Sequence, residues 1–286
     1  MYPVKTLTSI YNFILKLTQK RGSITLAKID CFLFKINRNI KIGNDGSIYL
    51  ELPPDPHFFG YLTQTHENHV SRAIERLVTK GDVIIDIGAN IGYFSAYCLN
   101  AVGKEGKVYS IEPESRNFGY LSNNCVHWNK LGFNIKSYQL AVSSTNGELK
   151  LNIHRYSTYH TLENSNNCLD KIENTQTVSV ITLDSWTTQE KINSISLLKI
   201  DTEGHEIKVL EGATSLFEKG RVEMAILECR DDQIAEFIDN FSTKFNLHQY
   251  VYDSSDWIES RSLPIKNRLE SLVSKKYISL SILNQL

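Results

Sequence analysis

The sequence predicts an α/β fold, a mostly parallel sheet with helices on both faces and an antiparallel C-terminal edge strand. Two observations carry this. From residue 83 to residue 241, short β-rich runs alternate with helix-length segments, which is the pattern of βαβ units. Near the C-terminus, two further strand-like runs follow one another without a crossover of that kind, which suits an antiparallel edge.

The elements follow in order. Residues 1–21 carry Val4, Leu7, Ile10, Tyr11, Ile14, Leu15 and Leu17 at near-helical spacing, with Lys5, Lys16, Lys20 and Arg21 among and after them. This predicts a helix docked on its own domain; contact with a membrane surface is the other use of such a face. Polar residues interrupt the apolar stretch and no small-residue cleavage site follows, so it does not read as a signal peptide. The runs Ile40-Lys-Ile42 and Ser47-Ile-Tyr-Leu50 flank Asn44-Asp45-Gly46 and predict a hairpin. Three of the six prolines fall in Leu52-Pro53-Pro54-Asp55-Pro56, which places a boundary between an N-terminal extension, residues 1–55, and a main domain, residues 56–286.

Beyond the boundary, Val70, Ala73, Ile74, Leu77 and Val78 predict a helix over 65–80. Strands are expected at 83–85, 107–111, 133–142, 196–200 and 222–227, and helices at 91–101, 115–130, 204–216 and 231–241. The closing strands are expected at 246–252 and 276–283. Hairpin strands at 148–153 and 178–182 bracket an insertion that breaks the βα rhythm.

Composition excludes several classes of function. With 31 basic against 32 acidic side chains the net charge is −1, which gives no general attraction to nucleic acid or an anionic membrane. The five cysteines form no C-x-x-C pair, so neither a disulfide framework nor a zinc site is expected, and a reducing cytoplasm fits. No run approaches the ~18 apolar residues of a membrane span.

Ligands of open α/β sheets sit beyond the carboxyl ends of the strands, where the strand order reverses. The first strand of the alternation runs into Asp86-Ile87-Gly88-Ala89-Asn90-Ile91-Gly92-Tyr93. Gly88 and Gly92 bracket a tight turn where missing side chains let a ligand touch backbone, and the helix opening there offers free N–H groups. A dinucleotide fingerprint would read G-x-G-x-x-G, but Asn90 stands where the second glycine admits a pyrophosphate. Asp86 adds a negative charge that suits a cation. The second strand ends in Ile111-Glu112-Pro113, with Glu112 26 residues after Asp86, near the spacing at which a strand-end acid accepts ribose hydroxyl bonds. An acid at each strand end around a glycine turn describes a pocket for a positively charged nucleoside.

Four segments together resemble the FkbM family: Asp-Ile-Gly-Ala-Asn-Ile-Gly at 86–92, Ile-Glu-Pro at 111–113, Leu-Ala-Val-Ser at 140–143 and Leu-Lys-Ile-Asp-Thr-Glu-Gly-His-Glu at 198–206. Val-Leu-Glu-Gly-Ala at 209–213 continues the likeness, which covers roughly residues 60–230. The resemblance implies a Rossmann-like, seven-stranded methyltransferase that uses S-adenosylmethionine, most often for O-methylation. It implies that Gly88, Asn90 and Gly92 line the methionine end of the cofactor, with Asp86 below the turn. Glu112 would hold the ribose hydroxyls, Pro113, Ala141 and Val142 would frame the adenine, and Asp201 would face the sulfonium.

Methyl transfer expels a neutral thioether, so the leaving group needs no acid, but an alcohol acceptor must lose its proton. Asp201 and His205 are the candidate catalytic residues, His205 because imidazole titrates near neutrality. Glu203 and Glu206 have the further reading of first-turn acids that stabilise a helix through its dipole. Asp201, Glu203 and Glu228 could form an oxygen-rich site, but capping and pairing account for them and no metal is expected. His66 and His69 read as solvated helix residues, with Glu67 a possible brace for the cofactor turn. In the insertion, Arg155, Tyr156, Tyr159 and His160 offer contacts for a hydroxylated acceptor, and Glu203 and Glu228 could join them. Trp128, Trp186 and Trp257 read as packing residues.

The expected protein is a cytoplasmic methyltransferase acting on a hydroxyl of a small molecule or glycan, with no nucleic-acid partner. N-methylation of a small molecule and a non-catalytic binding protein on the same fold are the competing readings. A nucleic-acid amino-methyltransferase would show Asn/Asp-Pro-Pro-aromatic where Ile200-Asp201-Thr202-Glu203 stands, and a nicotinamide enzyme is disfavoured by Asn90.

Overall fold

The computed structural model describes residues 38–43, 46–154, 160–162, 172–229, 231–252, 256–259, 270–279 and 283–284. The amphipathic segment 1–21, Arg155, Tyr156, Tyr159 and the Asn-rich stretch 164–167 lie outside the described residues. The chain begins with the antiparallel pair β1 (Arg38–Ile42) and β2 (Ile48–Leu52), then α1 (Phe59–Thr63) and α2 (Asn68–Leu77). The alternation follows as β3 (Val83–Ile87), α3 (Tyr93–Val102), β4 (Lys107–Ile111), α4 (Ser115–Lys130) and β5 (Ile135–Tyr138). Next come β6 (Ala141–Val142), β7 (Gly147–His154), β8 (Thr161–Leu162), β9 (Ile172–Ile181) and α5 (Leu183–Gln189). The second half holds β10 (Ile195–Ile200), α6 (Glu206–Glu211), α7 (Thr214–Glu218), β11 (Val222–Glu228), α8 (Asp232–Lys244), β12 (His248–Tyr252), β13 (Trp257–Glu259) and β14 (Glu270–Ser274).

Strands covered on both faces need near-continuous apolar sequence. β3 and β10, with four of five and five of six residues fully buried, have it. They sit at the centre of an eight-stranded sheet of order β13-β12-β14-β11-β10-β3-β4-β5, and the pairs from β11 to β5 are all parallel. The chain builds outward from β3 through β4 to β5, then returns to start again at β10 on the other side. The order therefore reverses between β3 and β10, where open sheets of this kind bind ligands.

The sheet differs from the expected seven strands in one region. An antiparallel strand, β14, lies ahead of the expected 276–283, of which 280–282 lie outside the described residues, and it is not an edge: it sits between β11 and β12, antiparallel to both. The edge is the short β13. The sequence Glu-Ser-Leu-Val-Ser of β14 is polar at three of five positions yet buried at all five, so its hydropathy hides it. Downstream, Ile278 N–H donates to the Tyr250 hydroxyl at 2.6 Å instead of to a ladder.

Two other expected elements divide. The run 133–142 gives β5 to the main sheet and β6 to a second sheet of order β6-β9-β7-β8. The helix 204–216 splits into α6 and α7 at Gly212, where an added Cβ would stand 2.1 Å from the Ser143 carbonyl oxygen. Asp184 starts the new helix by accepting from the N–H groups of Ser215 and Leu216 at 3.0 and 2.9 Å.

The β1–β2 pair buries Ile40, Ile42, Ile48, Leu50 and Leu52 in the same core as α3 and α4. Trp128 Nε1 donates to Tyr49 O at 2.6 Å, and Asn124 bridges Glu51 to Ile91 O. Trp128, Trp186 and Trp257 are all fully buried packing residues. Among the described residues, no helix is long and apolar enough to cross a membrane.

Candidate active site

Backbone hydrogen bonds stitch three strand ends together. Gly88 and Ala89 N–H groups donate to Ile111 O at the end of β4, and Asp201 N–H, after β10, donates to Ile87 O. Gly88 has φ +76°, and a Cβ there would lie 1.7 Å from Asp201 O, so only glycine permits the approach. Glu112 then fixes the turn from beside it. Its Oε2 accepts from Asn90 N–H at 2.8 Å and its Oε1 from Glu114 N–H at 2.9 Å. Burial pushes this carboxyl up to about 8 against the lowering effect of those two donors.

Over these strand ends lies a cavity of about 320 Å³, within the usual range for small-ligand sites, about 300–1,000 Å³. Gly88, Asn90, Glu112, Pro113, Ala141, Val142 and Asp201 all line it, as do His160, Glu203 and Glu228. The small sheet contributes Leu151 and Leu162 beside His160, so the insertion does reach the mouth of the main sheet.

Three expected site residues stand outside the wall. Asp86 is fully buried beneath the turn, where Ser95 Oγ donates to Oδ2 at 2.6 Å. Gly92 caps α3 at φ +96°, and an added Cβ would meet Leu121 and Trp128 at 3.0 Å. Its role is therefore close packing of α3 on α4, which the glycine pattern cannot distinguish from ligand contact. His205 precedes α6 with only 7 % exposure, and its Nε2 lies 2.8 Å from Ser143 Oγ. Burial drives its imidazole down to about 4. It ties two loops together and does not line the cavity.

The rest of the 201–206 motif braces its own loop. Glu206, with no exposed surface, accepts from Thr202 N–H at 2.8 Å, Thr202 Oγ1 at 2.9 Å and Gly204 N–H at 3.3 Å. Asp201, Glu203 and Glu228 offer carboxylate oxygens within 4.8 Å of one another. The buried Lys199 answers part of this charge, with Nζ 3.1 Å from Asp201 Oδ2, 3.7 Å from Asp86 Oδ1 and 4.6 Å above the Phe94 ring. Burial alone would lower the Lys199 ammonium, but Asp201 and Asp86 reverse that and hold it charged.

Another part of the wall comes from residues that hydropathy patterning does not single out: His57, Tyr61, His66 and Glu67 ahead of β3, with Tyr93 and Phe94 of α3. His66 and His69 are only partly exposed, each packed on neighbouring rings. His66 packs against Tyr61 with ring centres 4.5 Å apart, and His69 hydrogen-bonds Glu270 and stacks on Tyr252 at 3.8 Å. Helical spacing hid this because α2 starts only at Asn68, leaving His66 and Glu67 on the preceding turn. Glu67, with φ +40°, is there the N-cap and makes no side-chain capping bond, so residue type does not mark the turn.

Fold and cavity together define a doubly wound α/β protein with a small-molecule site at its switch point. The chain belongs to the FkbM methyltransferase family: the methyltransferase FkbM domain matches residues 86–253. The hexuronic acid methyltransferase AglP of Haloferax volcanii is 24% identical over 149 residues, 52% of this chain and 57% of that one. The crystal structure of methyltransferase FkbM from Methylobacillus flagellatus KT superposes with TM-score 0.48 at 13% identity, covering 77% of this chain and 53% of that one. A SAM-dependent O-methyltransferase from Thermotoga maritima gives 0.42 at 10% identity, covering 80% and 74%. The chain thus spans little more than half the length of the first two relatives.

Proposed function

We propose that this chain transfers a methyl group from S-adenosylmethionine to a hydroxyl of a sugar-like small molecule or glycan, and that residues 56–286 form the catalytic unit behind an extension of residues 1–55. The carrying observation is Glu112, a strand-end carboxylate held by two backbone N–H groups at the wall of a cavity that also takes in the Gly88–Asn90 turn. That donor and acceptor set fits a nucleoside: Glu112 accepts from the ribose hydroxyls, while Pro113, Ala141 and Val142 supply an apolar frame for the base. Gly88 and Asn90 hold the amino-acid end, with Asp86 and Lys199 keeping the turn in place from below.

When bound, the cofactor supplies an electrophilic methyl group on a cationic sulfur. Asp201 gives that end of the cavity a fixed negative charge, which favours a cation there and orients the acceptor hydroxyl. Glu203, Glu228 and His160 are the acceptor contacts, with Arg155, Tyr156 and Tyr159 of the insertion beside them in sequence. The substrate of the Haloferax relative, a hexuronic acid, supports a sugar acceptor. Cys98 and Cys125 are buried free thiols and Cys229 is buried as well, in keeping with a reducing compartment such as the cytoplasm.

The test is calorimetry with S-adenosylmethionine, S-adenosylhomocysteine and NADH, followed by transfer to a panel of sugar alcohols. Binding of the two sulfur compounds but not NADH, with S-adenosylhomocysteine released in the presence of an acceptor, is the expected result. Binding without turnover on any alcohol would favour a binding protein instead.

A further inference from the structure

We infer that His66, oriented by Glu67, takes the proton of the acceptor hydroxyl during methyl transfer; this rests on the proposed reaction and supplies the base that His205 cannot be from outside the cavity. Both side chains line the cavity. His66 Nε2 lies 3.5 Å from Glu67 Oε1, longer than a hydrogen bond, so a carboxyl group stands beside the imidazole. In the tautomer that carries its proton on Nε2, on the Glu67 side, Nδ1 is the accepting nitrogen. The ring is fixed by three aromatic neighbours, Tyr61 at 4.5 Å and Tyr93 and Phe94 at 5.8 Å between centres. The backbone is specialised as well: Glu67 holds φ +40°, a left-handed conformation rare for a residue with a side chain. That turn brings residues 66 and 67 to the cavity before α2 begins.

The charged and titratable groups around His66 are Glu67, Asp201 beyond β10, Lys199 of β10, His69 of α2, Tyr61 of α1 and Tyr93 of α3. Burial is the largest influence on the imidazole and lowers it to about 4, with Asp201 opposing and Lys199 and His69 assisting. The ring is therefore neutral at pH 7 and able to accept. Burial pushes the Glu67 carboxyl up, and Asp201 and Glu270 add to that, which favours the neutral acid before the step; a cation forming beside it would favour the carboxylate. In the step, the acceptor O–H bond breaks as an oxygen electron pair forms the bond to the methyl carbon, whose bond to sulfur breaks with its pair left on the departing neutral thioether. The proton forms an N–H bond at Nδ1, and the imidazolium rests against Glu67.

The experiment compares the wild type with His66→Gln and Glu67→Gln, each checked for an unchanged melting transition. Turnover is measured with methyl glycosides of glucose, glucuronic acid and glucosamine as acceptors, and ¹⁵N-imidazole spectra are recorded with S-adenosylhomocysteine bound. The expected result is a loss of turnover of about 10²–10⁴-fold in His66→Gln, with S-adenosylhomocysteine affinity within threefold of wild type. The variant's residual rate should climb with pH where the wild type is flat. Glu67→Gln should lose less turnover, and it should move the His66 ring resonances in the wild-type fold. Turnover in His66→Gln within threefold of wild type overturns the inference. So does a His66 ring that is protonated at pH 7, or one that ignores Glu67→Gln, and these spectra decide even if no glycoside in the panel is methylated. Failure of the cofactor product to bind at all would instead remove the proposed function.

Discussion

The cavity has two walls built on different principles. The sheet wall, from Gly88, Asn90, Glu112 and Asp201, is made by backbone, with strand ends bonded to each other and side chains that serve mainly as acceptors. The upstream wall, from His57, Tyr61, His66 and Glu67, is made by side chains packed on one another, ahead of the segment that the family model matches. Backbone geometry dictates residue type strictly, because a single Cβ can abolish it. Ring packing accepts many sequences. Under the proposed function the sheet wall holds the cofactor, and the upstream wall joins Glu203, Glu228 and His160 around the acceptor.

Substitutions can break or sharpen this contrast. The largest effect is expected from Gly88→Ala. Its Cβ would enter the Asp201 carbonyl at a φ that alanine resists, so roughly 3 kcal/mol or more of stability should be lost in urea unfolding, together with binding of S-adenosylhomocysteine. Next is Glu206→Ala, which strips three donors of their acceptor and should destabilise by roughly 2–3 kcal/mol. Because the loop it braces carries Asp201 and Glu203, turnover should fall further than cofactor affinity, and Glu206→Gln should recover much of both. Asp201→Asn, in turn, should reduce turnover more than affinity; an equal loss of both would remove Asp201 from the chemistry.

Acid stability gives a signal that leaves turnover at neutral pH untouched. His205 binds its proton at about 4 when folded and near 6.5 when unfolded, so the unfolded state holds more protons between those values. Stability should therefore decline as pH falls from 6.5 to 4, by up to roughly 3 kcal/mol from this residue. In His205→Gln, which can keep the Ser143 bond, unfolding curves at pH 7 and pH 4.5 should lie closer together. His66, lowered to the same extent, contributes a slope of the same sign.

What the sequence reveals follows the same division. The places of Glu112 and Asp201 on the cavity wall are legible because each directly follows a parallel strand, β4 or β10, whose carboxyl end faces the cavity, whereas Asp86, within β3, is buried beneath the turn. The β14 strand is not legible, since its burial comes from neighbours on both sides and not from its own Glu-Ser-Leu-Val-Ser. Gly92 and His205 mislead for a related reason. Each lies within a ligand-binding motif, yet one clears space for Leu121 and Trp128 and the other bonds Ser143. Period and spacing place a residue along an element, whereas the direction of a side chain at a helix start depends on the loop before it. His66 and Glu67 show the converse, on a turn whose positive φ at Glu67 has no signature in residue type.

The most direct test of the account is titration of S-adenosylhomocysteine into the wild type and Glu112→Ala by calorimetry. Saturable one-site binding to the wild type, weakened about 5–150-fold in the variant, is the predicted result, the loss being that of two hydrogen bonds of about 0.5–1.5 kcal/mol each. Absence of binding to the wild type, or equal affinity in Glu112→Ala, would contradict it.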